Sequence, residues 1–338
     1  MSTISKGKKL IDKSQKIFVA GHNGMVGKAV VKELIQKGYR NILTASRYEL
    51  DLENNNEVKD WFRKNKPEVV ILAAAKVGGI KANADFPYNF LIENLKIQIN
   101  VIESSYINHV KRFLFLGSSC IYPKLCKQPI KEDYLLADSL ESSNQWYAIA
   151  KISGIKLCQS LRIQHKFDAI SLMPTNLYGP GDNYHSTNSH VLPSLIRKFE
   201  EAKIKGDESV TCWGSGNPYR EFLHVNDLAK ACIFSLEKWD PNNQSAPKDK
   251  NGQPLTILNV GTGTDIKIKE LAEIIANKFN YKGKIIWDTT KSDGTPKKLL
   301  DITKLKELGW APAISLDHGI EITIKEYLKE KIEKTLRF

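Results

Sequence analysis

A glycine-rich turn between a short apolar run and an amphipathic helix constrains this chain more than any other feature. Residues 16–20 are typical of a strand, and Gly21-His22-Asn23-Gly24-Met25-Val26-Gly27 follows directly. A helical pattern then runs to a stop at Gly38. Glycines at such spacing let a backbone approach a diphosphate, and a helix start offers free N–H groups. The turn predicts a dinucleotide site contacted by Gly21, Asn23, Gly24, Met25, Val26 and Gly27.

Strands and helices alternate after this turn, which predicts a parallel, doubly wound sheet. The pattern predicts strands at 42–45, 69–73, 112–116 and 169–173, and helices at 55–64, 90–108 and 146–164. Beyond about residue 181 the alternation loosens, with a further helix at 190–202. We therefore expect an α/β fold: a Rossmann-type domain over 16–180, to which about 220–262 return. A smaller C-terminal substrate-binding domain would comprise about 181–219 and 263–338.

The remaining segments and the cysteines set the expected compartment. Residues 1–15 are rich in Lys and Ser without an apolar core, so we expect a flexible tail rather than a secretory signal. The polar stretch 241–254 predicts an exposed insertion. The five cysteines are scattered without a Cys-x-x-Cys pair, which argues against disulfides and a metal site. No apolar run approaches the roughly 20 residues of a membrane span, and we expect a cytoplasmic protein.

The net charge of +12 allows two interpretations. A basic chain can bind nucleic acid, but here Lys and Arg are dispersed among acidic residues, without a basic block interleaved with aromatics. A positive field also steers small anions such as phosphorylated substrates. We favour a small anionic ligand over nucleic acid.

The residues after the second predicted strand bear on which dinucleotide is bound. Ser46-Arg47 closes that strand, where an Arg accommodates a 2′-phosphate and an acid would hold a ribose hydroxyl. Glu49 and Asp51 follow closely, so NAD stays open. The pattern favours NADP(H), with Arg47 as a cofactor contact.

Tyr147 and Lys151 lie four residues apart on a predicted helix, so both side chains can reach one volume. A nearby cation is expected to lower the pKa of a phenol, which can then exchange a proton with a ketone or alcohol oxygen. Ser118 follows a predicted strand, after Leu116 and Gly117. The alternative is a pair on the surface of an amphipathic helix, since the spacing alone is common.

Together these motifs resemble the extended short-chain dehydrogenase/reductase family over nearly all of residues 16–330, and most closely its epimerase-reductases that form GDP-L-fucose. The resemblance is carried by Gly21–Gly27, Ala73–Gly79, Leu116–Pro123, Met173–Pro180, Trp213–Gly216, Arg220–Val225 and Asp293–Pro296. It implies 3,5-epimerisation of GDP-4-keto-6-deoxy-D-mannose followed by NADPH-dependent reduction of the C4 ketone. It also implies a homodimer formed through the long helices at 90–108 and 146–164.

Residue roles follow from the same resemblance. It implies a catalytic set of Ser118, Cys120, Tyr147, Lys151 and His190, in which Cys120 and His190 form the acid–base pair. His185 is a nearby rival for His190. Further cofactor contacts are Leu116, Gly117, Ser118, Tyr147, Lys151, Pro174, Thr175, Asn176, Leu177 and His190, and Asn23 stands where relatives often carry Arg. The nucleotide of the substrate is expected at Lys198, Trp213, Arg220 and Asp293.

Two rival functions stay open. An NAD-dependent nucleotide-sugar 4-epimerase or 4,6-dehydratase would use the same scaffold, although a dehydratase is expected to carry Asp-Glu where this chain has Cys120-Ile121. A noncatalytic dinucleotide-sensing or RNA-binding module would fit the charge. The intact set of Ser118, Tyr147 and Lys151 favours an enzyme.

Overall fold

The structure, a computed structural model, describes residues 9–338 apart from the side chain of Ile80. The strands are β1 Ile17–Ala20, β2 Ile42–Leu43, β3 Val69–Leu72, β4 Arg112–Leu116, β5 Ala169–Pro174, β6 Asn176–Tyr178, β7 Ser209–Trp213, β8 Tyr219–Arg220, β9 Phe222–His224, β10 Ile257–Val260, β11 Ile266–Lys267, β12 Lys284–Asp288 and β13 Lys297–Lys298. The α-helices are α1 Met25–Gln36, α2 Asn55–Asn65, α3 Ile80–Asp85, α4 Pro87–Ile107, α5 Gln145–His165, α6 Val191–Lys205, α7 Val225–Lys238, α8 Ile268–Lys278, α9 Thr303–Glu307 and α10 Leu316–Ile332. Short 3-10 turns cover Ser119–Ile121, Glu132–Tyr134 and Ser142–Asn144.

Six parallel strands form the central sheet, in the order β10-β5-β4-β3-β1-β2. Every residue of β1, β3, β4, β5 and β10 is buried, which is why these strands are continuous apolar runs. One face packs under α1 and α7, and the other under α2, α4 and α5. The predicted doubly wound parallel sheet is confirmed. The helix predictions at 55–64, 90–108 and 146–164 agree with α2, α4 and α5 within three residues at each end.

A third apolar cluster lies outside the sheet. It combines side chains of α6, α8 and α10 with Tyr178, Tyr184, Cys212 and Phe222. The parallel pair β7 and β12 and the small sheet β11-β8-β13 belong to the same part of the chain. Strand β10 pairs with β5 in the main sheet, so the chain does return there between residues 220 and 262. The domain boundaries themselves stay a prediction.

The predicted flexible tail needs correction where the structure describes it. Ile11 is 2% exposed and belongs to the apolar core under α1 and α7. Lys9 Nζ lies 2.5 Å from Glu237 Oε1, and the Leu10 N–H donates to the Glu237 carbonyl over 3.1 Å. Ile11 therefore anchors this segment to the core, while Lys9, Leu10, Asp12, Lys13 and Ser14 around it stay exposed. Residues 1–8 of the predicted tail lie outside the described part.

Two other sequence predictions are modified. The second strand ends at Leu43 rather than at 45. The predicted insertion 241–254 is mostly exposed, but Ala246 is buried and the Leu255 N–H donates to the Pro247 carbonyl over 2.8 Å. Among the described helices, none is both long and apolar enough to cross a membrane.

Candidate active site

The glycine turn between β1 and α1 forms a close backbone cradle. Gly21 has φ +90°, and a Cβ there would stand 2.7 Å from the Cα of Ala74 on the loop after β3. A Cβ on Gly27 would overlap the Gly21 carbonyl oxygen. Gly24 is the N-cap of α1 and, as a glycine, has no side chain that could cap the first N–H groups. The cradle fits a dinucleotide diphosphate, because its glycines leave backbone and a helix amino end open to an anion.

Arg47 lies just past β2 with its side chain 74% exposed. Its Nη2 pairs with Glu53 Oε1 at 2.8 Å, which leaves the rest of the guanidinium accessible. The two acids that could instead bind a ribose hydroxyl already accept hydrogen bonds from nearby backbone N–H groups. Glu49 Oε2 accepts from the Ser46 N–H at 2.7 Å, and Asp51 Oδ1 accepts from the Glu53 N–H at 3.0 Å. This arrangement favours a 2′-phosphate at Arg47.

The end of β4 brings three predicted catalytic side chains together. Ser118 Oγ accepts a hydrogen bond from the Cys120 N–H at 3.2 Å, at the start of a 3-10 turn. The Tyr147 phenol lies near both the Ser118 hydroxyl and the Cys120 thiol. Helix α5 delivers Tyr147, and the strand end delivers the other two.

Desolvation of Tyr147 and Lys151 reverses one prediction. Lys151 is 4% exposed, and its Nζ lies 5.7 Å from the centroid of the Tyr147 ring. Desolvation raises the pKa of Tyr147 and lowers the pKa of Lys151 to about 7. The expected lowering of the phenol pKa by its neighbour was therefore wrong, because burial penalises both charged forms. Tyr147 is held as a neutral phenol with a proton to donate.

The Cys120 sulfur is surrounded by donors. Asn144 Nδ2 lies 3.2 Å from Sγ, and Lys298 Nζ lies 3.8 Å from it. Arg220 also lies near this thiol. Sequence reasoning missed Asn144 and Lys298. Asn144 is separated from Tyr147 by two residues and could have been suspected, whereas Lys298 reaches the site only through the pairing of β13 with β8.

His190 and its rival His185 differ in what their rings already bind. His185 Nδ1 accepts from the backbone N–H groups of Thr187 and Asn188, at 3.1 and 3.2 Å, so it stabilises its own loop. His190 is the N-cap of α6 and makes no side-chain capping bond. His190 is exposed, and desolvation by the groups around its ring lowers the pKa of the imidazole. The loop before His190 touches the loop after β3, since the Gly79 N–H donates to the Asn188 carbonyl over 3.1 Å.

The predicted cofactor contacts after β5 are largely committed to the protein itself. Thr175 is buried, and its Oγ1 donates to the Glu221 carbonyl at 3.2 Å. Asn176 Nδ2 donates to the same carbonyl at 2.8 Å. Pro174 is buried as the last residue of β5, while Leu177 is half-buried. These residues shape the site, and their contact with a cofactor stays a prediction.

The structure brings the four predicted nucleotide contacts together as two neighbouring pairs. Lys198 Nζ donates to the Thr211 carbonyl at 2.7 Å and lies 5.9 Å from the ring centroid of Trp213, which is 49% exposed. Arg220 Nη2 donates to the Asp293 carbonyl at 3.1 Å. The Asp293 carboxylate accepts from the N–H and the hydroxyl of Ser215, both at 2.7 Å. Because Ser215 lies two residues after Trp213, Asp293 links the pairs.

Glu221 is a functional-site residue that sequence reasoning did not single out. Its buried carboxylate accepts from the N–H groups of Thr262, Gly263 and Leu300, at 2.6, 2.7 and 3.0 Å. Desolvation raises the pKa of this carboxyl. The residue joins the glycine turn after β10 to the end of β13, directly beside Arg220.

Comparisons with known proteins agree with this geometry. Residues 17–251 match the model of the NAD dependent epimerase/dehydratase family. The chain is 54% identical to GDP-L-fucose synthase 1 of Arabidopsis thaliana, covering 94% of both chains. It is 48% identical to GDP-L-fucose synthase of Escherichia coli, covering 94% of this chain and 98% of that one. Among solved structures, an NADP-bound GDP-mannoheptose C4 reductase from Campylobacter jejuni is 36% identical, with a TM-score of 0.83 over 94% of this chain and 99% of that one. The chain therefore belongs to the NAD dependent epimerase/dehydratase family.

Proposed function

We propose that this chain converts GDP-4-keto-6-deoxy-D-mannose to GDP-L-fucose, by epimerisation at C3 and C5 and NADPH-dependent reduction of the C4 ketone. The names of its relatives at 48% and 54% identity support this substrate. The observation that carries the chemistry is the convergence of Ser118, Cys120 and Tyr147 at the carboxyl end of β4.

Epimerisation needs stabilisation of the sugar's own enolate. C3 and C5 both flank the ketone, so removal of either proton places negative charge on the C4 oxygen. The neutral phenol of Tyr147 and the hydroxyl of Ser118 are adjacent donors suited to that oxygen. One pair of donors therefore serves both stereocentres.

Inversion also needs an acid and a base on opposite faces of the sugar ring. Cys120 lies next to Tyr147, and Asn144 and Lys298 lie beside its sulfur, where they stabilise the negative charge left when the thiol gives its proton to a carbon of the sugar. Desolvation lowers the pKa of His190, so its imidazole is neutral at pH 7 and can accept a proton. We assign the two faces to these two residues.

Reduction reuses the same donors. When bound, NADPH supplies the hydride that adds to C4. Tyr147 gives its proton to the C4 oxygen as that bond forms, and the raised pKa of the desolvated phenol keeps the proton available until then. Lys151 holds α5 against the strand end through the Leu116 carbonyl, which fixes the direction of the phenol.

The nucleotide end of the substrate is assigned to the two pairs described above. Trp213 offers an exposed ring face for the base, and Lys198 places a positive charge 5.9 Å from the centroid of that ring. Arg220 lies between Asp293 and Cys120, where it can neutralise a diphosphate that connects base and sugar.

The rival functions fit less well. Neither a 4-epimerase nor a dehydratase would need the acid–base roles that we assign to Cys120 and His190. An RNA-binding module does not account for the buried Lys151 beside the half-buried Tyr147. The C4 reductase relative marks a closer alternative, namely reduction without epimerisation.

Assembly and compartment complete the proposal. Helices α4 and α5 pack together and carry exposed apolar side chains, among them Ile99, Ile107, Ile149 and Ile163. We propose that these helices form the interface of a homodimer, because four exposed isoleucines on two adjacent helices favour association. The five cysteines are free, which supports a reducing cytoplasm.

The decisive experiment incubates the protein with GDP-4-keto-6-deoxy-D-mannose and NADPH in deuterated water. We expect NADPH consumption and GDP-L-fucose with deuterium at C3 and C5. Reduction to the unepimerised sugar would show a C4 reductase and refute the roles of Cys120 and His190. Absence of NADPH consumption would refute the proposed function.

A further inference from the structure

The last residues of the chain lie against the cofactor cradle. After α10 ends at Ile332, the backbone runs beside the loop that follows β6. The Tyr184 N–H donates to the Arg337 carbonyl over 2.9 Å, and Asn183 and Arg337 form a parallel bridge. Leu336 packs on the third apolar cluster. We name residues 333–338 the C-terminal strap.

The strap carries a cation to the amino end of α1. Arg337 Nη1 lies 3.9 Å from the point where a Cβ on Gly24 would stand. Gly24 is the N-cap of α1, whose free N–H groups and dipole make that end positive. A guanidinium beside the positive end of a helix is electrostatically unfavourable. An anion between the two would turn the repulsion into two attractions.

The other charges near the strap do not account for its position. Glu330 Oε1 accepts from the Gly181 N–H at 3.1 Å and is engaged there. Asp182 feels the charge of Arg337, but burial raises the pKa of that carboxyl to about 7. Lys28, on α1, is a second cation in this region: its Cδ lies 3.8 Å from the point where a Cβ on Gly181 would stand. Within residues 9–338, Arg337 forms no ion pair with a carboxylate.

We propose that Arg337 binds the diphosphate of the dinucleotide, so that the C-terminal strap and the glycine turn hold it from two sides. Gly24 is the glycine whose missing side chain lets the diphosphate approach the backbone. The proposal requires that the chain bind a dinucleotide at this turn, but not the identity of the sugar. The diphosphate is common to NADP and NAD, so Arg337 contributes equally to both, unlike Arg47.

The test is calorimetric binding of NADP⁺ and of NAD⁺, without sugar, to the full chain and to Arg337→Ala. We expect both affinities to fall by about tenfold, the scale of one charge-assisted hydrogen bond. Arg337→Lys should recover part of the loss. The matched control is Lys334→Ala, which removes the same charge from an exposed residue of the strap and should change either affinity less than about twofold.

Several results would overturn the proposal. Unchanged affinities with a lowered melting temperature would make Arg337 a structural residue. A loss confined to NADP⁺ would place it on the 2′-phosphate, and an equal loss in Lys334→Ala would reduce the effect to general charge. If the unmodified chain bound neither dinucleotide, the proposed function would fail together with this proposal. Binding by the unmodified chain with no effect of Arg337→Ala would remove this proposal alone.

Discussion

The side-chain nitrogen of Lys151 donates a hydrogen bond to the Leu116 carbonyl at 2.8 Å, which fastens helix α5 to the end of β4. This contact lies beside both catalytic segments. Gly117 and Ser118 directly follow Leu116, and Tyr147 lies one helical turn before Lys151. The contact is buried, and desolvation lowers the pKa of Lys151 from 10.5 to about 7.

The lowered pKa predicts how stability depends on pH. Between about pH 7 and pH 10.5 the unfolded chain binds a proton at Lys151 that the folded chain does not, so the free energy of unfolding rises with pH in that window. Lys151→Met should lose this rise, and the difference should reach a few kcal/mol, at about 1.4 kcal/mol per pKa unit. Melting curves of both proteins from pH 7 to 9 measure it. Parallel curves would contradict a neutral buried lysine.

Cys120→Ser should stop epimerisation and leave cofactor binding intact. A hydroxyl at that position is far less acidic than a thiol, so proton transfer to C3 or C5 should slow by about 10²–10⁴-fold. Deuterium incorporation at both carbons, followed by NMR, gives the rate, and the dissociation constant for NADPH provides the control. Undiminished deuterium uptake would show that another residue is the acid.

His190 and His185 can be distinguished by substitution with Asn. His190→Asn should lower kcat for epimerisation by about 10²-fold or more, because the amide cannot accept and return a proton. His185→Asn should chiefly lower the melting temperature, because its ring accepts two backbone N–H groups. If the two variants exchange these effects, the second ring face belongs to His185.

Arg47→Ala should change the choice of cofactor. Loss of the guanidinium is expected to raise KM for NADPH by about tenfold and to leave KM for NADH nearly unchanged. Glu53→Gln is a useful companion, since it releases Arg47 from its ion pair and should lower KM for NADPH slightly. Equal effects of Arg47→Ala on both cofactors would exclude a 2′-phosphate contact.

Glu221→Gln should lower both the stability of the protein and its affinity for the nucleotide sugar. The amide has one acceptor oxygen for three backbone N–H groups that now share two, so we expect a loss of about 1–3 kcal/mol of stability. KM for the nucleotide sugar should also rise, because Arg220 is the adjacent residue. Glu208→Gln, on the exposed surface, is the control, and matching melting temperatures for the two variants would refute this role.

The fold was predictable to the extent that local patterns determine it. The apolar strands, the glycine turn and the long helices α4 and α5 follow from periodicity and turn chemistry, and β4 was bounded to the residue. The position of β10 beside β5 was not given by any local pattern, because it depends on a pairing between distant segments. Ile11 was missed for a similar reason: a single apolar residue in a polar stretch shows its burial only in the folded chain.

The site was predictable as a set of residues rather than as an environment. Motif spacing and the family resemblance selected Ser118, Cys120 and Tyr147, which the fold brings together. The direction of the Tyr147 pKa shift was wrong because the sequence shows that a lysine is near but not that both groups are desolvated. Lys298 and Glu221 contact residues that are far away in the sequence, and the spacing of residues along the chain does not predict such contacts.

The strand order has a consequence for how the protein is made. Strand β10 covers the edge of β5, yet residues 175–256 must leave the ribosome before β10 does. Until then, a nascent chain that has already folded β1 to β5 exposes β5 as an unpaired edge strand, although every residue of β5 is buried in the finished fold. Such an edge is a template for pairing with other chains, so truncated products that stop before residue 257 are expected to aggregate. Synthesis of this protein therefore passes through an interval in which protection of β5 by a chaperone would decide the yield.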